Sequence, residues 1–127
     1  MEVQKVFESL PQIEIEVNHY FATGSYAREM RVPKDVYIVG KIHRHSHINI
    51  LSYGSCSILT EDGVISISAP YIFTSKPGAK RVLYAESNYV FTTVHATNET
   101  DLGKLEDELI APTFNDLTPE DLVEALK

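Results

Sequence analysis

Residues 41–51 read KIHRHSHINIL and place three of the chain's five histidines at alternate positions. In an extended strand, side chains alternate between the two faces of a sheet, so His43, His45 and His47 would share one face. Three neutral imidazoles on one face could supply much of a metal site, or they could form a polar stripe on an exposed face. The sequence around this stretch is needed to choose between the two interpretations.

The sequence on both sides of this stretch has the alternation and the frequent turns of short β-strands. The segments with this pattern are 12–17, 26–32, 36–53, 55–60, 64–68, 69–75, 81–86 and 89–97. The segment 36–53 is long enough for one strand or for two strands with a bend. An Asp-Gly pair at Asp62 and Gly63 lies between two alternating runs, which is a strong hairpin signal. Roughly eight short strands predict an all-β barrel or sandwich.

The C-terminal part of the chain changes to a helical period. An apolar stripe formed by Leu102, Leu105 and Leu109 predicts a helix over 101–110. The sequence TPED, which begins at Thr118, predicts the start of a second helix, with Thr as the N-cap and Pro at the first helical position. The chain is therefore expected to be a barrel followed by helices.

Length and composition indicate one soluble domain. With 127 residues, 43% of them apolar and 23% charged, the chain can bury one core. We assign 1–98 to the barrel with its N-terminal strands and 99–127 to a helical extension of the same domain. The net charge of −7 argues against a nucleic-acid partner, because phosphate binding needs a basic surface. The lone Cys56 and the lack of a signal-like or membrane-spanning stretch predict a cytoplasmic protein with no membrane partner.

Three segments between residues 40 and 81, GKIHRHSHINILSYG, TEDG and SAPYIFTSKPGAKR, resemble the core of a cupin. The resemblance covers about 26–97 and implies an all-β double-stranded β-helix, or jelly-roll, barrel with two motifs at one mouth. The first motif has two histidines separated by one residue, then a glutamate and a glycine. The second motif has Pro-x-Gly followed by a histidine. HYFATGSYARE and TTVHATNETDL extend the resemblance to small, mostly uncharacterised cupin-like proteins encoded by bacteriophages, which implies the host cytoplasm.

The chain departs from both cupin motifs. Alignment on ILSYG places His43 near the second histidine of the first motif and His47 near its glutamate, so Lys41 falls at the first histidine. Arg81 stands where the second motif has its histidine. The family's ligand set of three histidines and one glutamate therefore cannot be carried over whole. His95, on the last predicted strand, is the histidine that we expect to complete the site.

We predict that His43, His47 and His95 hold a divalent transition metal. Zinc, nickel, iron and manganese all accept neutral imidazole, and a metal needs three or four converging ligands. His45 is expected to diverge, because a bulge in the strand would separate it from the other two. The alternative is that some of these histidines face solvent.

Three further side chains are candidate ligand contacts. Arg81 follows a Pro-Gly turn at the presumed barrel mouth and could hold a carboxylate or phosphate by a bidentate fork. Glu29, if it faces the barrel, could supply the missing carboxylate as a metal ligand or a general base, although an exposed strand explains it equally well. Tyr71 completes the set, although tyrosines are more often amphipathic packing residues.

These residues predict a metal-dependent, small-molecule-binding cupin with a His-lined barrel site and a basic anchor for an anionic ligand, whose activity as an enzyme is left open. One alternative is a metal-free cupin of the sugar-nucleotide isomerase type, which a His–carboxylate pair inside the barrel would favour. Another is a non-enzymatic phage accessory or ligand-sequestering protein, which an apolar outer sheet face and a symmetric oligomer without an open cavity would favour. A homo-oligomer, most simply a dimer, is also expected, because a small barrel exposes much apolar sheet.

Overall fold

A computed structural model describes residues 15–60, 63–78 and 81–111. The strands are β1 Glu16–Ala22, β2 Ser25–Val32, β3 Tyr37–Val39, β4 Ile42–His43, β5 His47–Tyr53, β6 Ser55–Thr60, β7 Gly63–Ser68, β8 Tyr71–Ser75, β9 Val82–Ala85, β10 Tyr89–Ala96 and β11 Ile110–Ala111, and the helix is α1 Leu102–Leu109. The second predicted helix lies outside the described ranges. Within those ranges, no helix has the length and apolar character that crossing a membrane requires.

The strands form two main antiparallel sheets. The larger sheet has the order β1-β2-β10-β5-β8, the smaller has the order β3-β9-β6-β7, and β4 and β11 form a separate pair. Strands that are distant in the chain, such as β2 and β10, are neighbours in the larger sheet. The predicted all-β architecture with a helical extension is confirmed.

The core lies between the inner faces of the two sheets. Met30, Leu51 and Phe91 from the five-stranded sheet pack with Ile58 and Leu83 from the four-stranded sheet. Complete burial of an apolar side chain of this size contributes about 1.5–3 kcal/mol. This apolar layer fixes the two sheets against each other and adjoins the polar rows of the candidate site.

The histidine-rich segment is divided into three strands rather than one or two. β3 pairs with β9 in one sheet and β5 pairs with β10 and β8 in the other, so the chain crosses between the sheets. Gly40 marks the crossing, because its N–H donates to the Arg81 carbonyl at 2.8 Å and a Cβ there would lie only 3.0 Å from the same oxygen. At the next bend, the backbone N–H of Arg44 donates to the Leu109 carbonyl and its Nε donates to that of Ile110. These contacts interrupt the simple alternation of the segment.

The hairpin predicted around Asp62 and Gly63 is confirmed by antiparallel pairing of β6 and β7 along their whole length. The first strand differs from its prediction over 12–17. Its described part runs on to Ala22, and the turn at Gly24, with a φ of +78°, returns the chain into β2. This longer strand forms one edge of the five-stranded sheet.

The predicted first helix is present as α1 and packs against the barrel. Leu105 and Leu109 are buried in a small cluster with Tyr26. Directly after the helix, β11 pairs with β4 and places Ile110 opposite His43. The helical extension therefore covers the end of the barrel that carries the histidines.

Candidate metal and ligand site

A cavity of about 410 Å³ lies at the histidine end of the barrel. Its apolar wall includes Met30, Leu83 and Phe91 from the two sheets, and Leu105 and Leu109 from α1. Small-molecule sites usually have volumes of about 300–1,000 Å³ and mostly apolar walls with a few polar groups. The cavity therefore has the size and the wall of a site for a small ligand.

Three histidines from three strands meet in this cavity: His43 on β4, His47 on β5 and His95 on β10. Each offers a ring nitrogen, and these nitrogens all lie within 4.8 Å of one another. The ring centroids are 4.1 Å apart for His43 and His47, 4.9 Å for His47 and His95, and 5.5 Å for His43 and His95. His45 is exposed on the bend between β4 and β5. The structure thus brings together the three predicted ligands and leaves His45 outside the cluster.

The register of the five-stranded sheet explains why two of the three histidines converge. Val94 on β10 pairs with Ile48 on β5, and both side chains face outward. The next residues, His95 and His47, point to the inner face on neighbouring strands. His43 reaches them from β4, which β11 holds in place.

The hydrogen bonds of the histidines leave nitrogen lone pairs for a metal. Nδ1 of His47 lies 3.5 Å from the backbone carbonyl of His45, so this nitrogen is the donor and Nε2 carries the lone pair. Nε2 of His95 lies 3.1 Å from the hydroxyl of Thr93. Nδ1 of His43 is buried and has no hydrogen-bond partner among the described residues. An unpartnered buried nitrogen is costly, and a metal ion would satisfy it, so the donor set fits a metal.

The electrostatics of the cavity keep the imidazoles neutral. Burial, then the neighbouring His47 and His95, and then Arg81 and Arg28, lower the pKa of His43 to about 3. Burial, followed by His47 and Arg28, lowers the pKa of His95 to about 4. Burial is also the main cause of the lowered pKa of His47. Since only neutral imidazole donates a lone pair, all three are in their metal-binding form at neutral pH.

Arg81 also lines the cavity, and its guanidinium is fixed by a buried network. Nη1 of Arg81 donates to Oγ of Ser75 at 2.6 Å, and the same oxygen accepts from Nδ2 of Asn49 at 2.7 Å. The guanidinium carbon lies 5.4 Å from the ring centroid of Phe73, in a cation–π contact. Burial lowers the pKa of Arg81, but a guanidinium remains charged at neutral pH. The site therefore contains a fixed positive charge close to the histidines.

Solved structures share the arrangement of the strands. A cupin-domain protein from Bordetella pertussis Tohama I has a TM-score of 0.55 at 12% identity, over 70% of this chain and 99% of that one. A protein with a double-stranded β-helix domain from Klebsiella pneumoniae MGH 78578 has a TM-score of 0.59 at 15% identity, over 80% and 87%. The chain has the cupin fold.

An acetylacetone dioxygenase from Acinetobacter johnsonii has the same fold, with a TM-score of 0.56 at 16% identity, over 65% of this chain and 59% of that one. No known protein-family profile matches the sequence, and no curated protein matches it significantly. At these identities, the likeness concerns the fold alone. The chemistry of this cupin barrel therefore has to be argued from its own residues.

Glu29 does not join the histidines in this cupin barrel. Its neighbour Arg28 lines the cavity, so Glu29, one residue further along β2, faces the other side of the sheet. There its carboxylate accepts from Nδ2 of Asn18 at 3.1 Å and forms an ion pair with Arg31 at 3.1 Å. The missing carboxylate ligand is thus not supplied from this position, and Glu29 belongs to a charged outer surface.

Tyr71 is also outside the cavity. It shares the inward-facing side of β8 with Phe73 and Ser75, which contact Arg81, but it lies at the opposite end of the strand and is 41% exposed. Its ring packs against that of Phe73 at a centroid distance of 5.7 Å. Its contacts are those of a packing residue.

Several cavity residues were not selected from the sequence. Arg28 on β2 pairs with Thr93 on β10, and Thr93 pairs with Asn49 on β5, so the three form one polar row across the sheet. All three line the cavity. Only the pairing of distant strands brings them into one row, and no local signal in the sequence marks it.

Lys41 and Glu106 meet at the rim of the cavity. Lys41 stands where the first cupin motif has its first histidine, and its ammonium forms an ion pair with the Glu106 carboxylate of α1. The hydrogen bond and the positive charge of Lys41 lower the pKa of Glu106. Glu106 is the only carboxylate residue among the described residues that line the cavity, and this contact connects the helical extension to the rim.

Proposed function

We propose that this chain is a metal-dependent, small-molecule-binding cupin. His43, His47 and His95 would hold a zinc, nickel, iron or manganese ion, and Arg81 would bind the negative end of an anionic ligand. The observation that carries the proposal is the meeting of three neutral imidazoles in one cavity. Catalytic metal sites commonly use three protein ligands and leave a position for water or substrate.

The chain's own residues would prepare the site for such a ligand. The bound metal would supply Lewis-acid chemistry or activation of water. Arg81 would orient the anion, and the hydroxyl of Thr93 and the carbonyl of His45 would hold two imidazoles in position. α1 and the apolar wall would limit access of water, which strengthens charge interactions inside the cavity.

The geometry favours this proposal over a metal-free isomerase-like cupin. That alternative requires a carboxylate beside a histidine inside the barrel. Among the described residues of the cavity wall, Glu106 is the only carboxylate residue, and it bonds to Lys41. The presence of a cavity of ligand size is also a reason to prefer ligand binding over a purely structural accessory role.

The metal proposal predicts stoichiometric binding by the wild-type protein. Protein purified without chelators and incubated with zinc, nickel, iron(II) or manganese should retain about one equivalent of at least one metal, because the three imidazoles form a single site. Elemental analysis after desalting measures the ratio. If none of the four metals is retained, the proposal is overturned.

We also propose that a second copy of the chain covers the outer face of the five-stranded sheet. Ile48 and Ile72 are 45% and 67% exposed on this face. They lie on the neighbouring strands β5 and β8, where Ile50 pairs with Ile72. Contiguous exposed apolar surface of this kind marks interaction sites, and a symmetric dimer is the most common closed assembly.

Sedimentation tests the dimer. The wild type should sediment as a dimer at tens of micromolar, roughly the weak end of specific association. Ile72→Lys should shift the protein to monomer, because it places a charge in the apolar interface. Val64→Lys is the matched control, since Val64 is 65% exposed on the other sheet. A monomeric wild type, or equal effects of the two substitutions, would contradict this interface.

A further inference from the structure

Arg28 is a second guanidinium in the cavity wall, and it lies across the sheet from Arg81. The polar row runs from Arg28 on β2 through Thr93 on β10 to Asn49 on β5. Asn49 pairs with Phe73 on β8, whose ring contacts Arg81. Arg28 and the anchored end of Arg81 are thus separated by the two strands between β2 and β8.

The histidine cluster lies next to the polar row that joins the two arginines. His95 is on β10 and His47 is on β5, the two strands that separate β2 from β8. Neighbouring strands are about 4.8 Å apart, so the backbones of β2 and β8 are roughly 14 Å apart. Both arginine side chains line the same cavity as the three histidines, Arg28 from β2 and Arg81 from beside β8.

Neither guanidinium has a carboxylate partner in the described part of the chain. The ion pairs found there involve Arg31 and Lys41. Glu106, the carboxylate of the cavity wall, is already bonded to Lys41. The chain has 18 acidic residues, yet none of the described ones neutralises Arg28 or Arg81. Partly buried charges without a negatively charged partner are costly, and an anion bound in the cavity would offset that cost.

We propose that the cavity binds a small organic dicarboxylate, with one carboxylate on Arg28, the other on Arg81, and its middle facing the three histidines. Guanidinium groups bind carboxylates through two parallel hydrogen bonds. The volume of about 410 Å³ and the apolar remainder of the wall fit a short carbon chain between the two charges. The proposal deepens the proposed function and takes from it the position of the metal, but the charge pairing does not depend on the metal.

Calorimetric titration of matched acids tests the proposal. Malonate, succinate and glutarate are compared with propionate, butyrate and valerate, which have the same numbers of carbons and one carboxylate fewer. At least one dicarboxylate should bind about tenfold or more tightly than its match, because a monocarboxylate leaves one guanidinium unpaired. If every pair binds equally, or neither member of any pair binds, the proposal is overturned.

Substitutions of two arginines on β2 test whether Arg28 holds one carboxylate of the ligand. Arg28→Gln should bring the preference for the dicarboxylate close to one while metal stoichiometry stays at the wild-type value, and Arg28→Lys should retain part of the preference. Arg31→Gln is the matched control, because Arg31 lies on the outer face of the same strand and pairs with Glu29. An equal loss of preference in Arg28→Gln and Arg31→Gln would assign the effect to overall charge and overturn the proposal.

Metal retention and the titration of matched acids are separate measurements on the wild type, so this inference and the proposed function can fail independently. If the wild type binds no metal but still prefers a dicarboxylate, the metal proposal fails and the dianion inference stands. If the wild type binds metal but does not distinguish the matched acids, the dianion inference fails and the metal proposal stands.

Discussion

His47→Ala should lose nearly all bound metal, whereas His45→Ala should keep it. His47 is buried in the cavity with its ring centroid within 5 Å of those of His43 and His95. Removing it leaves two imidazoles, fewer than the three ligands that catalytic metal sites commonly use. The loss of affinity should exceed the roughly 10–100-fold that removal of an outer partner of a metal ligand costs. Elemental analysis after desalting, with each metal supplied in excess, measures the effect.

His45→Ala is the matched control, because it removes a neighbouring imidazole that lies outside the cavity. His45 is exposed, and the atom that contacts His47 is its backbone carbonyl, which an alanine retains. His47→Gln, which preserves more of the side-chain volume, guards against collapse of the cavity and should also lose the metal. Equal retention in the His45 and His47 variants would contradict the site, and equal loss would point to binding by exposed imidazoles.

Local periodicity was sufficient for most of the strands and for the first helix. Alternation over 89–97 and the Asp-Gly signal at Gly63 depend on neighbouring residues, and both predictions agree with the structure. The segment 36–53 was divided incorrectly because its breaks depend on distant contacts. Gly40 turns where it approaches the backbone of Arg81, and Arg44 turns where it bonds to the chain after α1.

The residues of the candidate site also include some that the local sequence predicts and others that depend on distant contacts. Spacing and the cupin resemblance selected His43 and His47, and placement on the last strand selected His95. The face of β2 that lines the cavity could not be chosen from the sequence, because a shift of one residue exchanges the two faces of a strand. The structure places Arg28 inside and Glu29 outside, which removes a proposed carboxylate and adds a second guanidinium. This exchange extends the proposed ligand from a small anion held at Arg81 to a dianion held by two guanidinium groups.

Acid should destabilise the metal-free protein through the same buried histidines. The pKa of His43 is lowered from 6.5 to about 3 in the folded protein, chiefly by burial. In the unfolded chain this pKa returns to its ordinary value, so between pH 6.5 and about 3 the unfolded state binds a proton that the folded state does not. The stability that His43 contributes is therefore fully present above this window and decreases as the pH falls through it, by about 1.4 kcal/mol per pH unit. For His95 the same window extends from 6.5 down to about 4.

Urea unfolding in the presence of a chelator measures this effect. Between about pH 7 and about pH 5, His43 alone should reduce the free energy of unfolding by about 2 kcal/mol. His43→Gln should make the decrease smaller by that amount, and His95→Gln should have a similar effect, because glutamine binds no proton in this range. Each protein is compared with its own value at the higher pH, so the packing cost of the substitution cancels. The range also stays above 4.5, the ordinary pKa of the hydrogen-bonded Glu86 and Glu106, whose pKa values are lowered further. An unchanged decrease in both variants would show that His43 and His95 bind protons at about the same pH in the folded and unfolded states, which would contradict their lowered pKa values.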